Sequence, residues 1–298
     1  MKLAITGASG QLGSYLMDLS LGKHRITGID KRESPFREHR NYIVNEDIRD
    51  LAVMKKRLKG CDAVLHCAAQ VSVVNSINDP IDDLSNNVQG TIALLQAAAD
   101  CKVKKFVYVS SAAVYGDPIK VPIDETHPLN PKSPYGASKM SAEQYCRVFA
   151  ETRLLPYVVV RPFNFYSPRA DPRSPYSGVI TKFVEWAKHG RPLLVEGDGE
   201  QTRDFIHAQD VARMIISAAE SKASNVTLNC GSGKGTTINQ LARTVVMASG
   251  KDVEIVHIAP RVGDIRHSVS GMSNTKRALG FRTEVSLQQG IGAFFEGD

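Results

Sequence analysis

Short apolar runs alternate with longer amphipathic stretches along about the first 160 residues of the chain. The short runs lack the apolar–polar alternation of a half-exposed strand, so they indicate strands that are buried on both faces. The stretches between them repeat with helical spacing and predict helices that cover those faces. The pattern therefore predicts an α/β fold with a doubly wound parallel sheet, whose strands are Lys2–Thr6, Arg25–Asp30, Tyr42–Val44, Ala63–His66, Lys105–Val109 and Tyr157–Val160.

Two of the amphipathic stretches predict long helices. Apolar residues recur at steps of three and four through Asp82–Ala99, and Pro80 lies where a first helical turn tolerates proline. A second helix is predicted over Tyr135–Thr152. After about Arg161 the sequence becomes rich in proline and glycine, with short elements between loops. This change predicts a first domain over residues 1–162 and a smaller lobe over 163–298, some segments of which return to the sheet.

Composition narrows the class of protein. The chain has 298 residues, 42% of them apolar and 23% charged, which is ordinary for a globular protein and excludes disordered and coiled-coil classes. The net charge of +6 is spread along the chain without interleaved aromatic residues, so we expect no nucleic-acid partner. The five cysteines are odd in number and lack metal or redox spacing, so we expect reduced thiols and no metal site.

The sequence carries no targeting pattern that we recognise. The N-terminal segment MKLAITGASG reaches glycine too early for the apolar region of a signal peptide. No apolar run approaches the roughly 18 residues of a membrane span. We therefore expect a cytoplasmic protein with no membrane partner.

A glycine-rich turn follows the first strand directly. Gly7, Gly10 and Gly13 lie between Lys2–Thr6 and a helical pattern. Glycines permit a tight turn and close approach to a pyrophosphate, which the N–H groups of the helix N-terminus then bind. Asp30 ends the second strand, where a carboxylate accepts the ribose hydroxyls of a dinucleotide. These features predict a Rossmann-type dinucleotide site in residues 1–162.

The carboxylate of Asp30 favours NAD over NADP, because it would repel a 2′-phosphate. Lys31 and Arg32 follow it directly and would favour the phosphate. A solvated loop is the simpler interpretation of those two cations, so NAD is the predicted cofactor.

A second group of residues has the pattern of a proton-transfer site. Tyr135 and Lys139 are four residues apart, so on a helix both project from one face. A phenol has a pKa near 10, and a nearby ammonium and a cationic nicotinamide ring would lower it. Ser110 and Ser111 follow the strand Lys105–Val109, at the sheet edge where ligands of such folds bind.

The spacing of the turn resembles the T-G-x-x-G-x-x-G turn of the short-chain dehydrogenase/reductases. Over nearly the whole chain the sequence resembles the extended members that act on nucleotide sugars, most closely the UDP-glucose 4-epimerase group. The matching segments are TGASGQLGS, HCAAQVSV, NNVQGT, VSSAAVYGD, SPYGASK, RPFNFYSPR, SPYSGVI, GDGEQTRDFIHAQDVA and PRVGDIRHS.

This resemblance implies site residues. It implies that Ser111, Tyr135 and Lys139 are catalytic, with Tyr135 as the base. The implied cofactor contacts are Gly7, Ser9, Gly10, Gln11, Leu12, Gly13, Asp30, Lys31, Asp47, Ile48, Ala68, Ala69, Gln70, Asn87, Ser110, Tyr135, Lys139 and Pro162. The implied substrate contacts are Ser72, Ser111, Tyr135, Asn164, Val179, Phe183, Arg203, Arg261 and Asp264, with the two arginines on the diphosphate and Val179 and Phe183 in the wall around the nucleotide.

The residues after the catalytic serine distinguish reactions within the resemblance. The related 4,6-dehydratases carry an Asp-Glu pair there, and the decarboxylases a Glu, whereas this chain has Ala112 and Ala113. The implied function is NAD-dependent 4-epimerisation of a UDP-hexose of the glucose/galactose type. Gln11-Leu12 is more typical of 4-keto-sugar reductases, so a reductase is the alternative. A non-catalytic NAD-binding regulator is a second alternative, although Ser111, Tyr135 and Lys139 are all present. The two long helices resemble the pair that forms a homodimer interface in this family.

Overall fold

A seven-stranded parallel sheet forms the centre of the computed structural model, which describes residues 1–170, 178–260 and 263–296. Its strand order is β11-β6-β5-β4-β1-β2-β3, and every neighbouring pair is parallel. The strands are β1 (Lys2–Thr6), β2 (Arg25–Asp30), β3 (Ile43–Asn45), β4 (Ala63–His66), β5 (Lys105–Val109), β6 (Tyr157–Pro162), β7 (Asn164–Tyr166), β8 (Leu193–Glu196), β9 (Thr202–Arg203), β10 (Phe205–His207), β11 (Val226–Cys230), β12 (Thr236–Thr237), β13 (Ile255–Ile258) and β14 (His267–Ser268).

Helices cover both faces of this sheet. They are α1 (Gln11–Ser20), α2 (Leu51–Leu58), α3 (Val73–Asn78), α4 (Pro80–Leu84), α5 (Gly90–Asp100), α6 (Pro134–Arg153), α7 (Val179–Lys188), α8 (Ala208–Glu220), α9 (Ile238–Ser249), α10 (Ser273–Leu279) and α11 (Leu287–Gly292). Short 3₁₀ helices cover Arg37–Tyr42 and Ala112–Val114, and a π-helical turn covers Ser85–Gln89. No helix of the described residues has the length and apolarity that a membrane span requires.

Successive residues of the central strands supply two apolar cores. Leu3 and Ile5 of β1 pack with α1 and α8 on one face, whereas Ala4 packs with α2, α5 and α6 on the other. In β5, Val107 and Val109 face the first core, and Phe106 and Tyr108 face the second. The uniformly apolar runs in the sequence follow from this arrangement, since both faces of each strand are buried.

The predicted doubly wound parallel α/β fold is confirmed. Four predicted strands have the predicted bounds, whereas the third is shifted by one residue to Ile43–Asn45 and the sixth extends to Pro162. The helix predicted over Asp82–Ala99 begins at Pro80 and contains the π turn.

Segments from the C-terminal half return to the central sheet. β11 pairs with β6 as its edge strand, and α8 packs against α1. Smaller sheets among the described residues pair β7 with β10, β8 with β13, and β9 with β12 and β14. An apolar core joins α7, α9 and α11 in this region. The division of the chain at residues 162 and 163 stays a prediction.

Candidate active site

The glycine turn between β1 and α1 leaves no room for side chains. A Cβ on Gly13 would lie 2.0 Å from the carbonyl oxygen of Gly7, and one on Gly7 would lie 2.8 Å from the Ala68 nitrogen. Gly7 also has a φ of +70°, which favours glycine. Because Gly10 precedes α1 without a side-chain cap, the first N–H groups of the helix stay available to a phosphate. This cradle fits the pyrophosphate of NAD.

Asp30 lies beside the turn, at the end of β2. Its carboxylate accepts hydrogen bonds from the backbone N–H groups of Ser9 and Arg32, both at 3.0 Å. Lys31 contacts Asn86 and lies 3.3 Å from Asp47, so its charge is already paired. This pairing supports the preference for NAD, because Lys31 is not available to a 2′-phosphate without breaking that contact.

Asp47 stays ionised through its cationic neighbours. Burial raises its pKa, but hydrogen bonds from Arg49 and the charges of Arg49 and Lys31 outweigh that effect and lower the pKa to about 2. The next residue, Ile48, is buried and packs against Gly90. A Cβ on Gly90 would lie only 2.8 Å from Cδ1 of Ile48.

The loop after β4 forms a second wall near the turn. Ala68 donates its N–H to Thr6 Oγ1 at 3.2 Å, and Ala69 follows it. Gln70 and Asn87 bond reciprocally, since Gln70 N–H donates to Asn87 Oδ1 at 2.8 Å and Asn87 Nδ2 donates back to the Gln70 carbonyl at 3.0 Å.

The remaining predicted cofactor residues lie at the turn and on β6. Leu12 lies in the first turn of α1, and its side chain is buried in the apolar core. Gln11 Nε2 donates to Ser167 Oγ at 3.0 Å, which joins the turn to the segment after β7. Pro162 ends β6.

The structure brings Ser111, Tyr135 and Lys139 together. Ser111 caps the short helix after β5, where its Oγ accepts the Ala113 N–H at 3.1 Å. Tyr135 is the second residue of α6, which begins because Ser133 caps it and Pro134 suits its first turn. The Ser111 hydroxyl lies near enough to the Tyr135 phenol to lower its pKa. Lys139 lies one turn further along α6, with its Nζ 6.0 Å from the centre of the Tyr135 ring.

The electrostatics differ from the expectation at Tyr135. Burial raises the pKa of Tyr135, and the nearby Ser111 hydroxyl opposes this only in part. The Lys139 ammonium donates to the Val109 carbonyl at 2.9 Å, and burial lowers its own pKa to about 8. The protein's own groups therefore leave the pKa of Tyr135 above its ordinary value, and lowering of this pKa by the ammonium together with a nicotinamide ring stays a prediction.

Ser110 does not face the same way as Ser111. Its hydroxyl donates to Glu143, a buried carboxylate on α6. Because the Ser110 hydroxyl is engaged by Glu143, the predicted contact of Ser110 with the cofactor would have to come from its backbone. Glu143 also binds Arg161 of β6 through two hydrogen bonds, at 2.9 and 2.6 Å. We did not predict this pair, although Glu143 lies four residues after Lys139, on the same helical face.

The predicted substrate residues are placed around the C-terminal half. Asn164 begins β7, and its N–H donates to the Asp204 carbonyl at 3.1 Å. Ser72 caps α3 by accepting the Asn75 N–H at 3.0 Å. Arg203 of β9 pairs with Asp264 at 2.6 Å, so the residues implied for diphosphate and ribose contact each other. Arg261 lies outside the described residues.

One predicted wall residue is not available to a ligand. Phe183 is 1% exposed, and its ring packs in the apolar core around α7, with Trp186 at a centroid distance of 5.9 Å. The prediction that Phe183 walls the nucleotide is therefore wrong for its side chain. Val179, the first residue of α7, is only partly buried and stays a predicted contact.

Two further carboxylates near the site have many partners. Asp204 follows Arg203 and accepts hydrogen bonds from the backbone and hydroxyl groups of Ser232 and Ser270. Asp83 of α4 is 1% exposed and accepts from the side chains of Gln70 and Asn87. We predicted neither from the sequence, because acidic residues at such positions are usually exposed.

Asp18, Glu38 and His39 are the described residues whose ligand atoms lie close enough together for a metal. Asp18 already pairs with Arg169 and His39, both at 2.6 Å, so a metal would have to displace a cation. The expectation of no metal stays a prediction.

Comparisons with known proteins agree with this geometry. The NAD dependent epimerase/dehydratase family matches residues 3–231. A putative UDP-glucose 4-epimerase of Methanocaldococcus jannaschii is 34% identical over 295 residues, which cover 97% of this chain and 95% of that protein.

Two solved structures are also similar over their full length. The UDP-glucose 4-epimerase of Thermotoga maritima with UDP-glucose has a TM-score of 0.92 and 34% identity, over 99% of this chain and 98% of that one. The UDP-N-acetylglucosamine 4-epimerase of Methanobrevibacter ruminantium, in complex with UDP-N-acetylmuramic acid, has a TM-score of 0.93 and 34% identity, over 99% and 97%. The chain therefore belongs to the NAD-dependent epimerase/dehydratase family of nucleotide-sugar enzymes, and NAD is its cofactor.

Proposed function

We propose that this enzyme catalyses 4-epimerisation of a UDP-hexose of the UDP-glucose/UDP-galactose type. The observation that carries the proposal is the grouping of Tyr135 with Ser111, which follows β5, and with Lys139 on the next turn of α6. This group lies at the carboxyl edge of the sheet, the edge to which the glycine turn also belongs. It can accept and return the proton of one sugar hydroxyl while NAD supplies a hydride acceptor and donor for the same carbon.

The residues have complementary roles in this reaction. Tyr135 takes the proton of the 4-hydroxyl and later returns it, and Ser111 donates a hydrogen bond to the same oxygen. Because burial raises the pKa of Tyr135, the phenolate needs a positive charge nearby. Lys139, fixed on the Val109 carbonyl, supplies part of that charge from a constant position.

The substrate must be held at one end and free at the other. Arg203 and Arg261 would bind the diphosphate, because a guanidinium matches phosphate oxygens. Arg203 now pairs with Asp264, so binding would exchange that carboxylate for phosphate oxygens or share the arginine between them. With the diphosphate fixed, the hexose could turn and present its opposite face.

The segment after Ser111 favours epimerisation over dehydration. Ala112 and Ala113 form the short helix there, and neither side chain can donate or accept a proton. Dehydration of a 4-keto sugar needs an acid for the leaving hydroxyl.

Replacing Tyr135 with phenylalanine tests the assignment of the base. Conversion of UDP-glucose to UDP-galactose should fall at least about 100-fold, while bound NAD is retained. Tyr42→Phe, which removes the hydroxyl of a half-exposed tyrosine, is the matched control. Substantial turnover by Tyr135→Phe would remove Tyr135 as the base. Activity only with a 4-keto sugar and added NADPH would instead support the reductase.

We also propose that the enzyme is a homodimer. Apolar side chains are exposed on neighbouring helices, at Ile81 and Leu84 of α4 and at Tyr145 and Val148 of α6. A second copy would bury this face. Light scattering should give twice the chain mass of 32.5 kDa. Ile81→Glu should give monomers. The control Met247→Glu changes an exposed apolar residue of α9 and should leave the dimer intact. A monomeric wild type would contradict the proposal.

A further inference from the structure

Asp83 is a buried carboxylate whose direct partners are neutral. It is 1% exposed, and its Oδ1 accepts hydrogen bonds from Gln70 Nε2 at 2.9 Å and Asn87 Nδ2 at 3.0 Å. No ion pair among the described residues includes Asp83. Burial of a charge costs free energy unless another charge compensates it. A cation that compensates the charge of Asp83 should therefore lie further away than its direct partners, Gln70 and Asn87.

A chain of hydrogen bonds leads from Asp83 to the catalytic helix. Asn87 Nδ2, which contacts Asp83, lies 3.2 Å from Ser138 Oγ. Ser138 in turn donates to the Tyr135 carbonyl at 2.9 Å. Helix α4, which carries Asp83, packs directly on α6. Asp83 is thus fixed relative to Tyr135 and Lys139 by the amide of Asn87 and by helix packing.

Lys139 is the buried cation on α6, the helix against which α4 packs. The other titratable groups near Lys139 are His66 and Cys67 at the end of β4, Tyr108 of β5, and Glu143 and Cys146 of α6.

Most of these groups carry no charge at neutral pH. Burial lowers the pKa of His66 to about 3, raises that of Cys67 to about 12, and raises those of Cys146 and Tyr108 as well. Glu143 forms an ion pair with Arg161 through two hydrogen bonds. Among the described residues near Lys139, Asp83 is left as the carboxyl group that has no cationic partner.

We propose that Asp83 is a positioning residue whose negative charge sets the pH range over which the Tyr135–Lys139 pair operates. The proposal rests on the proposed function, since it assumes that this pair transfers the proton. A negative charge near both groups favours the protonated form of each. Consistent with this, Asp83 acts to raise the pKa of Tyr135 and partly offsets the effect of burial on Lys139.

The consequence is a shift of the whole pH profile. Turnover requires the Tyr135 phenolate and the Lys139 ammonium, so both limbs of its pH profile depend on the pKa values of these two groups. Loss of the Asp83 charge lowers both pKa values and should move both limbs to lower pH by about 0.5–1 unit. A role for Asp83 in packing alone would lower the rate at every pH and leave the limbs in place.

The experiment compares the pH dependence of kcat for the NAD-loaded wild type, Asp83→Asn and Asp82→Asn. Asparagine keeps the shape of Asp83 and an oxygen that accepts from both amides. Asp82 is the exposed neighbour on α4, so its replacement removes the same charge from the surface and should leave the profile unchanged. An Asp83→Asn profile that matches the wild type after scaling would overturn the proposal. If Asp83→Asn does not fold, Asp83→Ser removes the same charge and is compared in its place.

A second measurement is independent of turnover. Ionisation of Tyr135 is followed by tyrosinate absorbance in the NAD-loaded protein, as the difference between each form and its Tyr135→Phe counterpart. Asp83→Asn should lower this pKa, and an unchanged value would overturn the proposal. If the wild type does not epimerise UDP-glucose, the proposed function fails for that substrate, but the absorbance titration still decides the role of Asp83.

Discussion

Replacement of Glu143 by glutamine should destabilise the protein strongly. Glu143 and Arg161 are 4% and 5% exposed in their side chains, and they share hydrogen bonds of 2.9 and 2.6 Å. Ser110 also donates to Glu143, and Arg161 donates to the Tyr115 hydroxyl at 2.9 Å. The substitution therefore leaves a buried guanidinium without its carboxylate, at the junction of β5, β6 and α6.

The size of the effect follows from this geometry. A hydrogen bond to a charged group contributes about 1.5–3 kcal/mol, and two are weakened here. Removal of one partner of a buried ion pair costs about 3–5 kcal/mol, because the other charge stays buried. We expect a loss of about 3–5 kcal/mol in the free energy of unfolding.

The assay is urea unfolding, in which the free energy of unfolding and its dependence on urea concentration are compared between the variants. Glu151→Gln is the matched control, since Glu151 lies on the same helix and pairs with Arg147 at 3.2 Å, with both side chains more than half exposed. It should change the stability by at most about 0.5 kcal/mol. Arg161→Met added to Glu143→Gln should cost less than the sum of the two single changes, because no unpaired charge remains. A loss below about 1 kcal/mol for Glu143→Gln would refute the reasoning.

Two further predictions concern the cofactor turn and the catalytic lysine. Gly13→Ala should abolish retention of NAD during purification, because its Cβ would lie 2.0 Å from the Gly7 carbonyl oxygen, whereas Gly292→Ala, in open space, should retain it; wild-type NAD content in Gly13→Ala would show that the turn can relax. Lys139 should lose its proton as the pH rises through its pKa of about 8, because burial disfavours the ammonium, and NMR of the isotope-labelled lysine side chain should follow this titration. A titration near the ordinary lysine value of about 10.4 would contradict the effect of burial.

The sheet was predictable from the sequence because its strands are buried on both faces. Uniformly apolar runs such as Lys105–Val109 need no knowledge of the tertiary structure to be recognised. The Tyr135–Lys139 pair was predictable for a similar reason, since a spacing of four residues fixes its geometry on a helix. β11 was not predicted as a strand of the central sheet, because the polar residues Thr227 and Asn229 interrupt the apolar pattern of Val226–Cys230.

Other properties of the site depend on contacts that sequence spacing does not encode. Arg203 and Asp264 pair across 61 residues, and this pairing is visible only once β9 and the loop before β14 are placed. The raised pKa of Tyr135 comes from burial by neighbouring elements, which the local sequence does not indicate. Phe183 resembled a nucleotide wall by its position in a motif, but helix α7 turns its ring into the core.

The most direct test of the proposed reaction is proton NMR of the purified enzyme with UDP-glucose deuterated at C4 of the glucose, without added cofactor. The account predicts that UDP-galactose appears, with the deuterium still at C4, because the same hydride is removed and returned. Loss of the deuterium to solvent, or no galactose signal even after NAD⁺ is added, would contradict 4-epimerisation of this substrate by transient oxidation.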